Sequence, residues 1–291
     1  MDSINKRSLK QKIRAYRRSP LSLVLFLMVL VSAMLTSGVL VFLIGYIMVK
    51  GVPHITPELF EWKYNSVNVS LMPALINTII ITLLSLLFAA PVGIFSAIYL
   101  NEYAKRGNKF VNVIRITTET LAGIPSIVYG LFGMLFFVSA LNGGISLLAG
   151  ALTLAIMILP LIMRTAEEAL RAVPDSYREG SYGLGAGKLR TVFKIVLPSA
   201  MSGILAGVIL GIGRIVGETA ALIYTAGSVA EIPRGKDFLF DSTRTLSVHM
   251  YALVSEGLYV NQAYATAVIL VLIVILINWF SGFIAKRLSK S

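Results

Sequence analysis

The sequence predicts an all-α integral membrane protein with six transmembrane helices. Of its 291 residues, 56% are hydrophobic and 14% are charged, whereas soluble domains carry about 25% charged residues. Six long apolar stretches also match the roughly 20 residues that a helix needs to cross about 30 Å of hydrocarbon. They are Leu21–Val49, Pro73–Leu100, Val111–Leu141, Ile145–Met163, Val196–Thr225 and Ala263–Ala285.

Two of these stretches are longer than one crossing requires. Leu21–Val49 far exceeds the apolar core of a signal peptide, which has about 7–15 residues, so we expect it to remain as a membrane anchor. Val111–Leu141 is interrupted by Gly-Ile-Pro at residues 123–125. Because proline cannot continue the hydrogen bonding of a helix interior, we expect a bend near Pro125.

The distribution of lysine and arginine predicts that both termini lie in the cytoplasm. If the N-terminus is inside, 20 of the 26 cations fall in cytoplasmic segments, five fall outside, and Arg214 lies within the fifth stretch. Positive residues concentrate on the cytoplasmic side of membrane proteins. Residues 1–20 are therefore expected to form a basic cytoplasmic tail that interacts with anionic lipid, and residues 286–291 a short cytoplasmic tail.

Covalent, metal and nucleotide chemistry have little support in the sequence. The chain has no cysteine, and its two histidines, His54 and His249, are isolated in predicted outside loops, where we expect them to be solvated. A glycine-rich run at residues 183–188 lacks the first glycine and the Ser/Thr of a phosphate-binding loop. We therefore expect no metal, no cofactor and no ATPase site. The net charge of +12 lies in clusters between apolar runs, so nucleic acid is not an expected partner.

Two connections are long enough to carry more than a turn. Residues 164–194, on the predicted cytoplasmic side, have Pro174-Asp175 as a helix start and several glycines near Gly185. This pattern predicts two short helices joined by a glycine turn. Residues 226–262 are polar and are predicted to form an extracytoplasmic loop that contacts a partner.

Three ionisable residues, Glu119, Arg214 and Glu218, fall inside predicted spans. Each costs about 2.5–3.5 kcal/mol at the bilayer centre, so each should face the bundle interior or water. Arg214 and Glu218 are four residues apart, close enough to interact on one helix. They share a helix face with a stripe of small residues that would admit a neighbouring helix. The stripe consists of Gly203, Gly207 and Gly211.

The residues alone leave two roles open for Arg214 and Glu218. Arg214 could attract an anion along a transport pathway while Glu218 compensates its charge, or the two could form an ion pair that only stabilises packing. Glu119 lies four residues from Arg115, and a structural pair between them is favoured over the alternative, that Glu119 lines the transport pathway. Ser126 and Tyr129, beside Pro125, belong either to a cavity-lining broken helix or to a close helix contact.

The cytoplasmic segment resembles the EAA loop of ABC importer permeases. The matching residues are Glu179, Gly180, Ser181, Gly185, Ile195, Leu197 and Pro198, with Gly180 and Ser181 replacing two alanines of that motif. The resemblance implies a type I ABC importer permease architecture, with a permease domain at residues 72–285. It also implies that these seven residues dock an ATPase subunit.

Three further runs resemble permease subunits of the phosphate-specific ABC importer. They are residues 91–93 with 98–104, residues 122–133, and residues 213–221. Residues 217–227 are similar to the A-type permease of that system, because the sister C-type usually has methionine after Gly-Glu-Thr.

This resemblance implies a multi-pass permease in the cytoplasmic membrane of a prokaryote that translocates inorganic phosphate. The implied partners are a PstC-like permease, two copies of an ABC ATPase and an extracytoplasmic phosphate-binding protein. The alternatives are a sulfate or molybdate permease, the PstC-type sister, or a non-transporting structural or signalling subunit. A proton-coupled secondary transporter is disfavoured, because the sequence shows no internal repeat.

The predicted orientation can be tested by labelling, since the native chain has no cysteine to give a background. A cysteine at Ser66 should react with a membrane-impermeant maleimide added to sealed cells. A cysteine at Ser289 should react only after the membrane is permeabilised, because the cation distribution places that end inside. Labelling of Ser289 in sealed cells would contradict the assigned orientation.

Overall fold

The computed structural model describes residues 20–105 and 107–288, and within these ranges it is helical with no β-strand. Most of the predicted basic tail (residues 1–19), Arg106 and residues 289–291 lie outside the described residues. The chain divides into two units, one up to Lys50 and one from Gly51 onward. The described residues of the first unit belong to one long helix, α1, Pro20–Gly51, whose last residue is the first of the second unit. Nearly all of its apolar side chains are exposed within that unit, as suits a helix surrounded by lipid.

The second unit contains ten helices among its described residues. In chain order they are α2 (Met72–Ile98), α3 (Lys109–Ala122), α4 (Ser126–Gly133), α5 (Leu147–Arg171), α6 (Asp175–Gly183), α7 (Lys188–Thr191), α8 (Leu197–Val216), α9 (Ala220–Thr225), α10 (Leu246–Glu256) and α11 (Val260–Leu288). Wider π-helical turns extend α2 and α4 and join α7 to α8. Short 3-10 turns occupy Val52–His54, Pro57–Phe60 and Phe238–Phe240.

Five helical segments in the described ranges are long and apolar enough to cross a membrane, and a bent pair of helices makes six. The bent pair is α3 and the extended α4, whose axes differ by 103° across residues 123–125. The predicted bend near Pro125 is therefore confirmed. Such a sharp angle means that α3 and α4 form either a broken span or a re-entrant loop.

Several predicted boundaries differ from the observed helices. The fifth stretch was expected to run to Thr225, but α8 ends at Val216 and α9 is a separate helix after residues 217–219. The predicted cytoplasmic segment contains two helices joined by a turn at Gly185, as expected, but only α6 is a separate short helix. Its first part continues α5 to Arg171, and the helix that starts at Lys188 runs on to Val216.

Helix α5 is the centre of the second unit. It packs against α2, α3, α4, α8 and α9. Its side chains Leu154, Ile158 and Ile162 are fully buried, because neighbours surround α5 on most of its circumference. Its packing therefore determines where the other helices lie.

The glycine stripe of α8 faces α5 at very short range, a contact that we call the α5–α8 seam. An alanine side chain at Gly203 would lie 2.6 Å from the Cβ of Ala169, and one at Gly207 would overlap the side chain of Thr165. At Gly211 the nearest atom is Ile162 Cδ1, 3.7 Å away. Without side chains at these positions, the two backbones approach closely, as small residues allow in membranes.

The outer segment, residues 226–262, is not the simple surface loop that the sequence predicted. Residues 243–249 are all buried, and α10 packs along α11. The prediction that His249 is solvated is wrong, because its side chain is fully buried. A polar segment was mistaken for a surface loop because its hydroxyls and amides bind other parts of the chain, including Thr78 Oγ1, which accepts a hydrogen bond from the Leu246 N–H.

The seam yields a prediction from two matched substitutions on one helix. Gly207→Ala should lower the melting temperature of the purified protein, because the new methyl group overlaps Thr165. Gly211→Ala should leave it unchanged or raise it slightly, since a methyl group fits there and alanine favours a helix by about 0.5–1 kcal/mol over glycine. Equal effects of the two substitutions would contradict the seam.

Candidate functional site

The predicted cytoplasmic segment folds as helix α6 followed by a tight turn and α7. The Gly185 N–H donates to the Tyr182 carbonyl at 2.9 Å, and the Ala186 N–H donates to the Ser181 carbonyl at 3.1 Å. This is the hydrogen-bond pattern of a Schellman motif, and Gly185 supplies the left-handed conformation it needs, with φ +78°. Glycine is needed here for its backbone conformation and not for lack of space, because no other group lies within 4 Å of where a Cβ would be.

Arg178 attaches α6 to the membrane helices. Its Nη2 lies 2.7 Å from Oε1 of Glu102, in the π-helical end of α2. The same guanidinium donates to two carbonyls at the end of α5, that of Leu170 in its last turn and that of Val173 just after it. The Arg178 and Glu102 side chains are only 14% and 5% exposed, so water competes little for this pair. Lys188, which begins α7, adds a contact over the Tyr103 ring. Three elements thus meet at one arginine.

The residues of the EAA-like pattern lie in different environments. Glu179, Gly180, Gly185 and Pro198 are exposed, whereas Ile195 and Leu197 are half-buried. Ser181 is buried, and its Oγ lies 2.8 Å from Thr191 Oγ1, so its side chain supports the turn and does not face outward. The surface of the turn is apolar, with Leu184 90% and Leu189 67% exposed. An exposed apolar turn that Arg178 holds against the membrane helices is suited to binding another protein.

Within the predicted spans, two broken helical segments meet. Gly130 of α4 packs directly on the backbone of α9, where an alanine side chain would lie 2.8 Å from the Cα of Ala221. Pro125 has no N–H to donate to the Leu121 carbonyl, which instead accepts from the Ile124 N–H at 3.1 Å and from the buried Tyr129 hydroxyl at 2.7 Å. Ser126 is half-buried at the first position of α4. The run at 122–133 therefore combines both alternatives from the sequence, since it is a broken helix and also a close helix contact.

Arg214 and Glu218 do not form the predicted pair. Helix α8 ends at Val216 and the chain turns at Gly217, so the spacing of four residues no longer places the two side chains on one helix face. None of the ion pairs among the described residues includes Arg214. Arg214 is half-buried in the last turn of α8, where the helix dipole favours a cation. It lies close enough to Tyr129 to interact electrostatically with that hydroxyl.

Glu218 has a separate structural task at the start of α9. Its Oε1 accepts a hydrogen bond from the Ala221 N–H at 3.1 Å, which satisfies one of the free amides at that helix start. Its own carbonyl accepts a hydrogen bond from Ser247 Oγ at 2.5 Å. Glu218 is therefore buried at the point where the outer segment is bound to the break between α8 and α9.

Glu119 is exposed, and the predicted pair with Arg115 does not form. Arg115 instead lies 2.7 Å from Oε1 of Glu167 on α5, and Arg171 contacts the same oxygen at 2.6 Å. Glu167 is the more buried carboxylate, so it benefits more from two cations.

Sequence reasoning missed two polar clusters. One is Arg178 with Glu102, which are 76 residues apart in the chain. The other is Arg244 with His249 and Asn77, buried at the outer end of α2. A partial signal for the second cluster was present in the sequence. Asn77 is a polar amide in the apolar stretch Pro73–Leu100, which indicates a polar partner inside the bundle.

The second unit is a bundle of apolar helices with an exposed turn and with broken helices beside Arg214. This architecture is typical of a membrane transport subunit. Residues 89–290 match the family described as binding-protein-dependent transport system inner membrane component. The chain belongs to this family, whose members are inner-membrane transport subunits.

Individual relatives agree with the family assignment. The chain is 31% identical over 278 residues to the probable ABC transporter permease protein YqgI of Bacillus subtilis, covering 89% of this chain and 94% of YqgI. It is 34% identical over 254 residues to the phosphate transport system permease protein PstA of Pasteurella multocida, covering 83% and 86% of the two chains. The chain is thus an ABC importer permease subunit.

A solved structure supports the architecture. A chain of a bacterial alginate ABC transporter, crystallised with an alginate pentasaccharide-bound periplasmic protein, superposes with a TM-score of 0.68 at 16% identity. The match covers 96% of this chain and 99% of that chain, so the expected type I importer permease fold is confirmed. Such a fold implies an ATPase and a binding protein as partners.

The base of α6 yields a prediction. Glu102→Gln should weaken the attachment of α6 by about 2 kcal/mol, because Arg178 loses a charged hydrogen-bond partner. Hydrogen exchange of the α6 amides should therefore accelerate. The matched variant Glu179→Gln, on the exposed face of α6, should leave exchange unchanged. Unchanged exchange in Glu102→Gln would show that Arg178 does not hold α6.

Proposed function

We propose that this chain is the PstA-type permease of an importer that moves inorganic phosphate across the cytoplasmic membrane. The proposal is supported by relatives named as phosphate transport permeases, such as PstA of Pasteurella multocida. A PstC-like permease would complete the pore, two ATPase subunits would bind on the inside, and a phosphate-binding protein would deliver the anion. The orientation and the permease domain at residues 72–285 are part of this proposal.

The observation that carries the anion pathway is the unpaired Arg214. A guanidinium stays charged at all physiological pH values and offers paired donors to an oxyanion. Its position at the end of α8, beside the broken segment with Tyr129, leaves its charge available because no carboxylate in the described chain neutralises it. We assign attraction of the anion to Arg214. We assign to Glu218 the stabilisation of the break, which keeps Arg214 in place.

The ATP-dependent movement would start at the exposed turn between α6 and α7. Gly185 lies on that turn, Glu179 and Gly180 are exposed on α6 just before it, and Leu184 and Leu189 would enter a cleft of the ATPase. Displacement of α6 would act on α2 through Glu102, and displacement of α7 would act on α8, because the helix from Lys188 to Val216 is continuous. The first connection is a single ion pair and the second is one continuous helix, so movement of the turn would reach α2 and α8 directly.

Replacement of Arg214 tests the pathway. In proteoliposomes with the complete complex, Arg214→Gln should reduce ATP-dependent phosphate uptake by roughly tenfold or more, since charged hydrogen bonds contribute about 1.5–3 kcal/mol. The complex should still assemble, because Arg214 forms no ion pair in the described chain. Lys236→Gln, an exposed cation of the outer segment, serves as the control. Wild-type uptake in Arg214→Gln would remove Arg214 from the pathway. Uptake of sulfate instead of phosphate by the wild type would favour a related oxyanion importer.

Replacement of Gly185 tests the docking turn. Gly185→Val should abolish co-purification of the ATPase, because a β-branched residue is strained at φ +78° and the turn must rearrange. Gly185→Asn should retain partial binding, since asparagine tolerates this conformation. Gly183→Ala, in open space and without a positive φ, should bind normally. Normal binding in Gly185→Val would contradict the role of the turn.

A further inference from the structure

Arg244 is a buried arginine without an anionic partner, and it lies at the outer end of α2. Arg244 is only 4% exposed, and its Nε and Nη2 atoms are buried without a hydrogen-bond acceptor. No ion pair within the described ranges includes it. Buried charges are normally paired, because removing a charge from water is costly. Arg244 therefore requires an explanation beyond ordinary packing.

The contacts of Arg244 leave one edge of the guanidinium available. The face of the group lies 4.5 Å from the centre of the Tyr64 ring, and the Arg244 peptide N–H donates to the Val229 carbonyl at 3.0 Å. Nε and Nη2 form the edge with two parallel donors, which carboxylates and phosphates accept in pairs. The ring contact stabilises the face of the guanidinium but leaves this edge unsatisfied.

Two neutral groups beside Arg244 supply acceptors. The His249 ring packs edge-on against the same Tyr64 ring, at 6.0 Å between centres. Burial, together with the charge of Arg244, lowers the pKa of His249 to about 3, although the nearby Val69 backbone acts in the opposite direction, so the ring is neutral at physiological pH. Asn77 donates through Nδ2 to the carbonyls of Glu231 and Arg244, which leaves Oδ1 buried without a partner.

The combination of a cationic donor edge with neutral acceptors selects a particular ligand chemistry. A fully deprotonated oxyanion such as sulfate offers only acceptors, so it can use the arginine but not Asn77 Oδ1. Hydrogen phosphate carries both negative oxygens and a hydroxyl proton at neutral pH. The phosphate hydroxyl would donate a hydrogen bond to Asn77 Oδ1 or to the unprotonated ring nitrogen of neutral His249. A lipid phosphodiester has negative oxygens but no such proton.

We propose that Arg244, His249 and Asn77 form an outer binding site for a protonated tetrahedral oxyanion, separate from Arg214. The choice of phosphate as that oxyanion rests on the proposed function. Tyr64 also lines a cavity of about 310 Å³ between residues 62–73 and the outer segment, together with Lys63, Glu231 and Arg234. Tyr64 contacts both the Arg244 guanidinium and the His249 ring, so this cavity borders the site.

The position of the site connects it to the break between α8 and α9. Arg244 and Ser247 belong to the same buried segment, and Ser247 Oγ donates to the carbonyl of Glu218. A ligand that stabilises this segment would therefore also stabilise the chain beside Arg214. The outer site would receive the anion before Arg214 does.

Binding can be measured separately from transport. The purified complex of both permeases and the ATPase, in detergent and without the binding protein, is melted in sodium phosphate or in sodium sulfate of equal ionic strength. The Arg214→Gln background isolates the outer site. We expect phosphate to raise the melting temperature in this background, and we expect Arg244→Gln to abolish the increase. Lys236→Gln should retain it.

A second variant separates binding from ring stacking and does not depend on the folding of Arg244→Gln. Arg244→Lys keeps the charge over Tyr64 but loses the two-donor edge. We expect at least tenfold more phosphate to be needed for the same thermal increase, whereas a purely stacking role predicts wild-type behaviour. An increase that persists in both variants overturns the site. An equal Arg244-dependent increase with sulfate or added phosphatidylglycerol overturns the selection for a protonated oxyanion. Whether the wild type transports phosphate is decided separately by uptake.

Discussion

The close approach of α5 and α8 is the constraint on which the rest of the second unit depends. At Gly203 and Gly207 any side chain would overlap Ala169 or Thr165, so α8 has little freedom to slide or rotate on α5. The same helix runs continuously from Lys188 to Val216, about 40 Å at 1.5 Å per residue. The seam therefore positions the docking turn at one end and Arg214 at the other.

The two helix breaks are stable because each has its own polar compensation. Tyr129 donates to the Leu121 carbonyl, which loses its usual helical donor because Pro125 has no N–H, and Glu218 accepts from an amide at the start of α9. Unsatisfied backbone groups are costly in a membrane, so breaks persist only where side chains replace the lost hydrogen bonds. Gly130 then brings the two broken segments into direct contact. Arg214 is left without such a partner, which is why a transport role suits it.

The sequence was sufficient for features that depend on local chemistry. Apolar length predicted the spans, proline predicted the bend, and the resemblance of the EAA-like residues predicted the fold. The sequence was insufficient for side-chain pairing and burial, which tertiary contacts determine. Glu218 follows a helix end that the apolar pattern of residues 196–225 does not reveal, so the pairing with Arg214 was wrong. His249 and Arg244 are buried because α2 and the outer segment surround them, and Arg115 binds Glu167 because α3 lies on α5. Long-range packing of this kind leaves no local signal.

The central claim is that α5 and α8 form one rigid unit that carries the docking turn and Arg214 together. A disulfide between Ile162→Cys and Gly211→Cys tests it most directly, since the native chain has no cysteine and a Cβ at Gly211 would lie 3.7 Å from the Ile162 side chain without overlap. The account predicts that the bond forms on oxidation and that the cross-linked complex retains ATP-dependent phosphate uptake. Failure to form the bond, or complete loss of uptake that returns on reduction, would show that the seam is absent or opens during transport.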